Sequence, residues 1–416
     1  MHNEAPTASV QTQSATRGTS PKARLPLVVY VLALGTFLML TTEFVIAGIL
    51  PDIASDLRIS LAQAGSLIIV FAVGMVIGAP LLALLTMRLS KKLTLLIALV
   101  VFIAGHVVVA LSSDLTILTV ARFVTALATG AFWAVSAVVA SNMVGSSLKS
   151  SAVGVVAAGG SLATVLGVPI GAFLAQHVGW RGTFWALGIA AAIAVVFIVR
   201  LVPADEAHSQ GSALSGLADL RSSRLWLILA ACLTTTGGVL AAYSFIAPIL
   251  TDHAGVSAGL VPLVLAGFGI CSFLGTLLGG RLGDKHAHAV TIATPALTTL
   301  VLLAMALLTG STWTTVVLVV LLGAFGLSAN SVLIHLAVDY AGRAATLGSG
   351  LAVAAFNAGT AIGTTIAGAT LASPLGLAGP ATVGTVIVAL TLIPTIALGI
   401  LGRSSRPAAE PAPVAA

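Results

Sequence analysis

Residues 27–50 read LVVYVLALGTFLMLTTEFVIAGIL, a stretch in which Glu43 is the only charged side chain. A helix needs about 20 predominantly apolar residues to cross the hydrocarbon of a bilayer, and this stretch meets that requirement. The rest of the chain has the same character, because 58% of its 416 residues are hydrophobic and only 7% are charged. Soluble domains carry about 25% charged residues. The sequence therefore predicts an all-α integral membrane protein.

Twelve stretches of this kind are present, which predicts twelve transmembrane helices. The predicted spans are residues 27–50, 63–86, 93–112, 115–139, 151–175, 183–201, 225–250, 260–280, 290–310, 313–337, 346–372 and 380–401. Their connections are short, except for a polar stretch that follows the sixth span. That stretch predicts a division of the chain into two halves.

We therefore predict an N-terminal six-helix bundle (27–201) and a C-terminal six-helix bundle (225–402), joined by a cytoplasmic linker (202–224). Residues 1–26 and 403–416 are predicted to be cytoplasmic tails. The N-terminal tail is polar and lacks the apolar core of a signal peptide, so it is predicted to be disordered.

The distribution of positive charge predicts the orientation of the chain. With the N-terminus in the cytoplasm, 15 of the 18 Lys and Arg residues fall on the cytoplasmic side. Only Arg58 and Arg181 fall outside, and Arg122 lies within a span. Because cytoplasmic loops are rich in Lys and Arg, both termini are predicted to be cytoplasmic. This distribution also explains the net charge of +6 without any nucleic-acid partner.

The two halves repeat each other. The segment LPDIASDLRIS, which begins at Leu50, aligns with APILTDHAGVS, which begins at Ala247. The same offset brings Gly171 onto Gly368. Since six is an even number of spans, the two copies have the same orientation and are related by an axis along the membrane normal. Such a pair encloses a central cavity that can open to either side in turn.

Three motifs resemble those of the major facilitator superfamily. GGRLGDK (279–285) resembles the family's cytoplasmic Gly-x-Leu-x-Asp-Arg loop. In ARFVTALATGAFWA (121–134), Arg122 and the small residues after it resemble the motif of the fourth span. In GGSLATVLGVPIG (159–171), the glycines around Pro169 resemble the Gly-Pro motif of the twelve-span drug:proton antiporters.

The resemblance covers about residues 25–402, with two departures. Met87 stands where the loop after span 2 carries an acidic residue in the family, and Val168 separates the usual Gly-Pro pair. The segments TTEFVIAGILPDIASDL and GWRGTFWAL are similar to a bacterial subgroup that contains chloramphenicol-resistance exporters. That subgroup also contains exporters of arabinose-like sugars and of purine ribonucleosides.

The resemblance implies the major facilitator fold and a proton-driven exporter in the bacterial plasma membrane, working by alternating access. We expect a small hydrophobic drug as cargo, chloramphenicol or a similar antibiotic. Sugars or purine nucleosides are the alternative cargo, and a membrane sensor that does not transport is the alternative from another class. The expected partners are the substrate, protons and lipid, with no cofactor, no metal and no nucleic acid. We expect a monomer.

Glu43 and Arg122 are the predicted proton-coupling residues. Each lies about seven residues from the outer end of its span, which is a depth of roughly 10 Å at 1.5 Å per residue. A carboxylate in hydrocarbon is costly, so Glu43 should face the cavity and either pair or take up a proton. The alternatives are a static ion pair and a Glu43 hydrogen-bonded by Thr41 and Thr42. His106 has a similar depth, and we expect it to be satisfied or at the lipid edge.

Two further sets of residues are candidates. The predicted conformational switch comprises Asp284, Arg281 and Lys285 in the loop after span 8 and Gly167, Pro169 and Gly171 in span 5. For the span 5 residues, tight packing is the alternative reading. The candidate contacts with substrate in the cavity are Phe44, Phe132, Trp133, Tyr243, Phe356 and Asn357.

Several other function classes are excluded by missing motifs. The sequence contains no GxxxxGK[ST] phosphate-binding loop, so this chain does not use ATP itself. It contains no HExxH zinc motif, no polar Ser–His–Asp cluster and no ion-selectivity filter. An enzyme is therefore not expected. With one buried carboxylate and no cluster of polar Na⁺ ligands, protons are the simplest coupling ion.

Overall fold

The computed structural model describes residues 25–85, 89–145, 148–203, 222–308, 311–342 and 345–403. Most of the two predicted tails and of the linker, together with Met87, lie outside these residues. The described part is helical throughout, as its composition predicts. The α-helices are α1 (Leu27–Leu57), α2 (Leu61–Leu85), α3 (Lys91–Leu111), α4 (Leu115–Asn142), α5 (Lys149–Leu162), α6 (Val168–Leu201), α7 (Ser223–Tyr243), α8 (Ile246–Pro248), α9 (Val261–Leu308), α10 (Thr312–Gly326), α11 (Asn330–Tyr340), α12 (Ala345–Thr370) and α13 (Gly379–Arg403).

Within the described residues, ten helical segments are long and apolar enough to cross a membrane. Two of them, Ser151–Leu201 and Ala258–Leu308, are each 51 residues long. Each contains one residue with non-helical dihedral angles, Gly179 (φ 76°, ψ 161°) in the first and His286 (φ −137°, ψ 50°) in the second. Both long segments are therefore interrupted near their middle.

The chain reverses direction at Gly179. Thr183 Oγ1 donates a hydrogen bond of 2.9 Å to the carbonyl oxygen of Gly171, twelve residues earlier. In a straight helix these residues would lie about 18 Å apart. The positive φ of Gly179 belongs to a region that favours glycine, which explains why the reversal occurs at this residue.

Three elements have bounds that differ from the predicted spans. Helix α1 continues past Leu50 to Leu57 and ends at Arg58, whose φ of 55° is left-handed. The predicted seventh span is interrupted, because α7 ends at Tyr243 and Phe245 (φ −112°, ψ 23°) is not helical. The predicted tenth span is divided between α10 and α11. The predicted spans were bounded by hydrophobicity, which marks where a segment meets lipid. A helix ends where its backbone hydrogen bonding ends, so the bounds of the spans and of the helices differ.

Buried residues form one cluster within α1 and α3–α6 and another within α7, α9 and α11–α13. A third cluster joins residues from both sets of helices at the end of the molecule where α1 finishes. There the Phe245 ring fits between two glycines. A Cβ placed on Gly65 of α2 would lie 3.0 Å from Phe245 Cζ, and one on Gly368 of α12 would lie 3.4 Å from the same atom. The two sets of helices are thus closely packed at this end.

Candidate functional site

A small cavity lies where α1 and α2 face α7 and α12. Its volume is about 10 Å³, which is room for about one water molecule. Glu43, a partly buried residue of α1, contributes the only carboxyl group among the residues that line it. The lining residues are Glu43, Phe44, Ala47, Ile68, Phe71, Ala72, Leu240, Tyr243, Ser244 and Thr360.

Arg122 lies one layer behind this cavity, on α4, and is 1% exposed. Its Nη1 donates to both oxygen atoms of Thr42 on α1, at 3.0 Å to the carbonyl and 2.9 Å to the hydroxyl. The guanidinium carbon lies 4.1 Å from the centre of the Phe71 ring, which is a favourable position for a cation. Helices α1, α2 and α4 therefore all position this charge.

Glu43 and Arg122 interact electrostatically, but no hydrogen bond joins them. Arg122 Nε and Nη2, which form one edge of the guanidinium, have no hydrogen-bond partner among the described residues. The other arrangement considered for Glu43 is not formed either, because Thr41 Oγ1 donates to Phe37 O at 2.7 Å. Glu43 and Arg122 are therefore close enough to interact but form no direct ion pair, and the Nε–Nη2 edge of the guanidinium is open among the described residues.

His106 of α3 completes this buried network. Its Nδ1 lies 2.7 Å from the carbonyl oxygen of Phe102, and its Nε2 lies 2.9 Å from Thr42 Oγ1. A carbonyl oxygen only accepts hydrogen bonds, so Nδ1 carries the proton. In the neutral ring Nε2 then accepts the proton of the Thr42 hydroxyl. The expectation of a satisfied His106 is confirmed.

Thr42 is the residue that sequence reasoning missed as a partner of Arg122. Its position next to Glu43 was the available signal, since it shares the depth of Glu43 and Arg122. The sequence does not say which face of α1 is turned towards α4. Depth alone therefore could not decide whether Thr42 or Glu43 contacts Arg122.

The aromatic and amide candidates separate into two groups. Phe44 and Tyr243 line the cavity with Glu43. The Tyr243 ring stacks on Phe268 with centroids 4.5 Å apart, and its buried hydroxyl has no hydrogen-bond partner among the described residues. Phe132 is instead fully buried against Gly35 of α1, so it packs two helices together rather than lining the cavity.

Three other candidates do not reach the cavity. Phe356 is buried within the cluster of α7, α9 and α11–α13. Asn357 Nδ2 donates to Val353 O at 3.1 Å, while its Oδ1 has no partner among the described residues. Trp133 is partly buried on α4. Of the predicted contacts with substrate, only Phe44 and Tyr243 line the cavity with Glu43.

The predicted hinge of span 5 contains a π-helical turn, Ala163–Gly167, which ends two residues before Pro169. Gly167 packs against Thr41 and Gly171 packs against Val45, so both glycines bring this segment close to α1. On the other side of the same turn, Gly269 of α9 packs against the backbone of Thr164 and Val165. The segment is therefore tightly packed on both sides, and its proposed bending remains a prediction.

Arg281, Asp284 and Lys285 are exposed at the end of the first half of α9, just before His286. In the described part of the chain these three side chains form no ion pair. Met87, the departure from the loop motif after span 2, lies outside the described residues.

Comparisons with known proteins place this chain in a family. The model of the Major Facilitator Superfamily matches residues 32–252 and 235–416. A chloramphenicol resistance protein of Streptomyces lividans is 34% identical over 375 residues, which are 89% of this chain and 95% of that protein. An uncharacterized MFS-type transporter of Bacillus subtilis (strain 168), YtbD, is 31% identical over 369 residues, which are 88% and 93% of the two chains.

A solved structure has a similar fold. The crystal structure of a bacterial homolog of the human lysosomal transporter Spinster, inward-facing and unoccupied, has a TM-score of 0.76 to this chain. The match covers 94% of this chain and 100% of that one at 15% identity. At that identity the similarity concerns the fold alone.

Proposed function

Because this chain belongs to the major facilitator superfamily, a family of membrane transporters, we propose that it exports a small, mostly apolar compound in exchange for protons. The observation that carries this proposal is the position of Glu43. It supplies a carboxyl group to a cavity lined by residues from both predicted halves of the chain, and Arg122 lies one layer behind it. An intramembrane carboxyl group next to a substrate path is typical of proton-coupled transport.

We propose that the chain has twelve spans arranged as two six-helix bundles. Each of the two 51-residue segments would be about 76 Å long if straight, well beyond the roughly 30 Å of bilayer hydrocarbon. Dividing each at its non-helical residue, Gly179 or His286, converts ten segments into the predicted twelve. Both termini would then lie in the cytoplasm, and the membrane would be the bacterial plasma membrane.

The proposed cargo is chloramphenicol or a similar antibiotic. Support comes from the chloramphenicol resistance protein of S. lividans, which is similar over most of both chains. In this structure the cavity has room for about one water molecule, so it must widen before a compound can bind. Most of the side chains that line it are aliphatic or aromatic, which favours a compound with an apolar body. Sugars and purine nucleosides remain the alternative cargo from the sequence analysis.

The proposed exchange uses the open edge of Arg122. When Glu43 is ionised, its carboxylate attracts the unpartnered Nε and Nη2 of the guanidinium. When Glu43 is protonated, that attraction is lost and the guanidinium stays on Thr42. If substrate binds to the arrangement with ionised Glu43, substrate and proton favour different arrangements of the same two side chains, which is the condition for one to drive the other.

A growth-inhibition panel tests the cargo. The protein is expressed in a host that lacks its own efflux pumps, and chloramphenicol, an arabinose analogue and a toxic purine nucleoside are compared. We expect protection against chloramphenicol and loss of that protection in Glu43→Gln. The matched control is Asp52→Asn, an exposed carboxyl of the same helix. Protection against none of the three compounds would contradict the proposed function.

A further inference from the structure

His106 is a buried ionisable residue for which the proposed exchange has no role. It is 2% exposed and lies between two aromatic rings, with centroids 3.9 Å from Phe102 and 5.6 Å from Phe184. A buried polar ring is costly unless its nitrogen atoms are hydrogen-bonded. Both nitrogen atoms are bonded here, and one of the bonds leads to the oxygen atom that holds Arg122.

Thr42 differs in its hydrogen bond from the other buried threonines of α1, α3 and α4. Thr36, Thr125 and Thr129 each donate their hydroxyl proton to the carbonyl oxygen four residues earlier. That bond is the usual one for threonine within a helix. Thr42 instead gives its proton to His106 Nε2 and does not bond back to its own helix.

This bond sets the direction of the Thr42 hydroxyl. A hydroxyl has one proton and two acceptor lone pairs, so a proton that points at His106 leaves the lone pairs for another donor. Arg122 Nη1 occupies that position at 2.9 Å. If His106 offered no acceptor, the Thr42 side chain would turn to the rotamer in which its hydroxyl bonds to a carbonyl oxygen of its own helix. That rotation moves Oγ1 away from Arg122 Nη1, and the guanidinium would lose one of its two anchors.

We propose that His106 is a positioning residue that keeps Arg122 attached to Thr42 and away from the Glu43 carboxyl group. The inference rests on the proposed role of Glu43 as the proton-coupling residue. With His106 in place, the hydrogen bonds to Thr42 oppose the attraction of Arg122 to ionised Glu43, so Glu43 can both gain and lose its proton. Without His106, Arg122 moves onto the Glu43 carboxylate and holds it in the ionised form.

The surroundings of Glu43 limit the other groups that could act in this way. Among the described residues at the cavity, α2 contributes only apolar side chains and α12 contributes Thr360. Helix α7 contributes Tyr243, whose hydroxyl is ionisable. Arg122 of α4 lies one layer behind the cavity, and His106 of α3 lies behind Thr42. Arg122 is therefore the only cation that faces this carboxyl group from these helices.

The test measures how the reaction of Glu43 with dicyclohexylcarbodiimide depends on pH, since this apolar reagent modifies protonated carboxyl groups. Full-length protein in detergent is labelled across a pH series, with Glu43→Gln as the background. His106→Phe keeps an aromatic ring against Phe102 and removes both nitrogen atoms. We expect it to lower the midpoint pH of labelling by about one unit, because a nearby opposite charge favours the ionised carboxylate by about 1–3 units.

Conservative variants separate positioning from packing. His106→Gln keeps an acceptor for the Thr42 hydroxyl, and Thr42→Ser keeps the hydroxyl, so both should have the wild-type midpoint. Thr42→Val removes the hydroxyl at nearly constant shape and should shift the midpoint as His106→Phe does. Combining Thr42→Val with His106→Phe should give no further shift, because both changes remove the same interaction.

An unchanged midpoint in His106→Phe would overturn the proposal, and so would an equal shift in His106→Gln. If His106→Phe does not fold, the midpoint pH of labelling is compared between Thr42→Val and Thr42→Ser. Equal midpoints in these two variants would also overturn the proposal. The labelling requires no transported compound. A wild-type protein that exports nothing in the growth panel would therefore contradict the proposed cargo, while the midpoints would still decide the role of His106.

Discussion

Arg122 donates hydrogen bonds from one nitrogen atom to both the carbonyl and the hydroxyl oxygen of Thr42, the residue next to Glu43. A guanidinium at this depth in a membrane must find acceptors within the protein. Helix α1 therefore supplies both the acceptors that hold Arg122 and the carboxyl group that Arg122 can influence. The charge is placed close to Glu43 without being neutralised by it.

This placement predicts that Arg122 cannot be replaced by a smaller residue. Arg122→Ala removes the only cation near Glu43 in the described part of the chain and leaves the Thr42 acceptors empty, so proton-driven export in vesicles should fall at least about tenfold, or ~1.4 kcal/mol in the barrier. Arg122→Lys keeps the charge but has no planar fork, and it should be intermediate. Arg200→Ala, at an exposed site of α6, is the control and should retain activity. Full activity of Arg122→Ala would contradict this role.

Close packing across the π-helical turn predicts a second effect. A Cβ on Gly269 would lie 2.6 Å from Val165 Cα, so Gly269→Ala should force α9 away from this turn. Overpacking of this kind costs about 1–3 kcal/mol. We expect a lower melting temperature and slower transport. At Gly154 of α5 no atom lies within 4 Å of an added Cβ, so Gly154→Ala is the control and should melt at or slightly above the wild-type temperature. Equal melting of the two variants would contradict this packing.

The proposed topology predicts which side of the membrane each loop faces. In a background without Cys232 and Cys271, we introduce single cysteines at two exposed positions, Gly259→Cys beyond the end of α8 and Ala289→Cys beyond the interruption at His286. An impermeant thiol reagent applied to intact cells should label Gly259→Cys and should label Ala289→Cys only after the cells are opened. The reverse pattern would mean that the chain is inserted with the opposite orientation.

Asp284 is predicted to act in the transition between states. It is exposed here and forms no ion pair within the described part of the chain, so its partner would be met only in another arrangement of the helices. Asp284→Asn should therefore reduce the turnover number while changing the affinity for chloramphenicol by no more than a few-fold. Asp252→Asn, an exposed carboxyl near the other end of the molecule, is the control. Normal turnover of Asp284→Asn would leave this loop with a topogenic role only.

Much of this arrangement follows from the sequence, because lipid imposes strong limits on composition. A single carboxyl group in an apolar run predicts the importance of Glu43, and counting residues from the span ends predicts that Arg122 lies at its depth. These predictions depend only on distance along a helix.

Features that depend on rotation about a helix axis were not predicted. Thr42 and Glu43 are neighbours in sequence but point in different directions, so depth could not assign the acceptor for Arg122. The interruption at Phe245 was missed as well, because residues on both sides of it are apolar and hydropathy does not report backbone dihedral angles. Phe132 was assigned to the cavity as an aromatic residue of a lining helix, whereas its side chain faces Gly35.

The central claim is that Glu43 exchanges its proton when substrate binds. The most direct measurement adds chloramphenicol to purified protein in weakly buffered detergent solution and follows proton release with a pH indicator. The wild-type protein and the Asp52→Asn control should release protons, and Glu43→Gln, which keeps the shape of the side chain but cannot ionise, should release none. Equal proton release from the wild type and Glu43→Gln would contradict the claim and place the coupling site elsewhere.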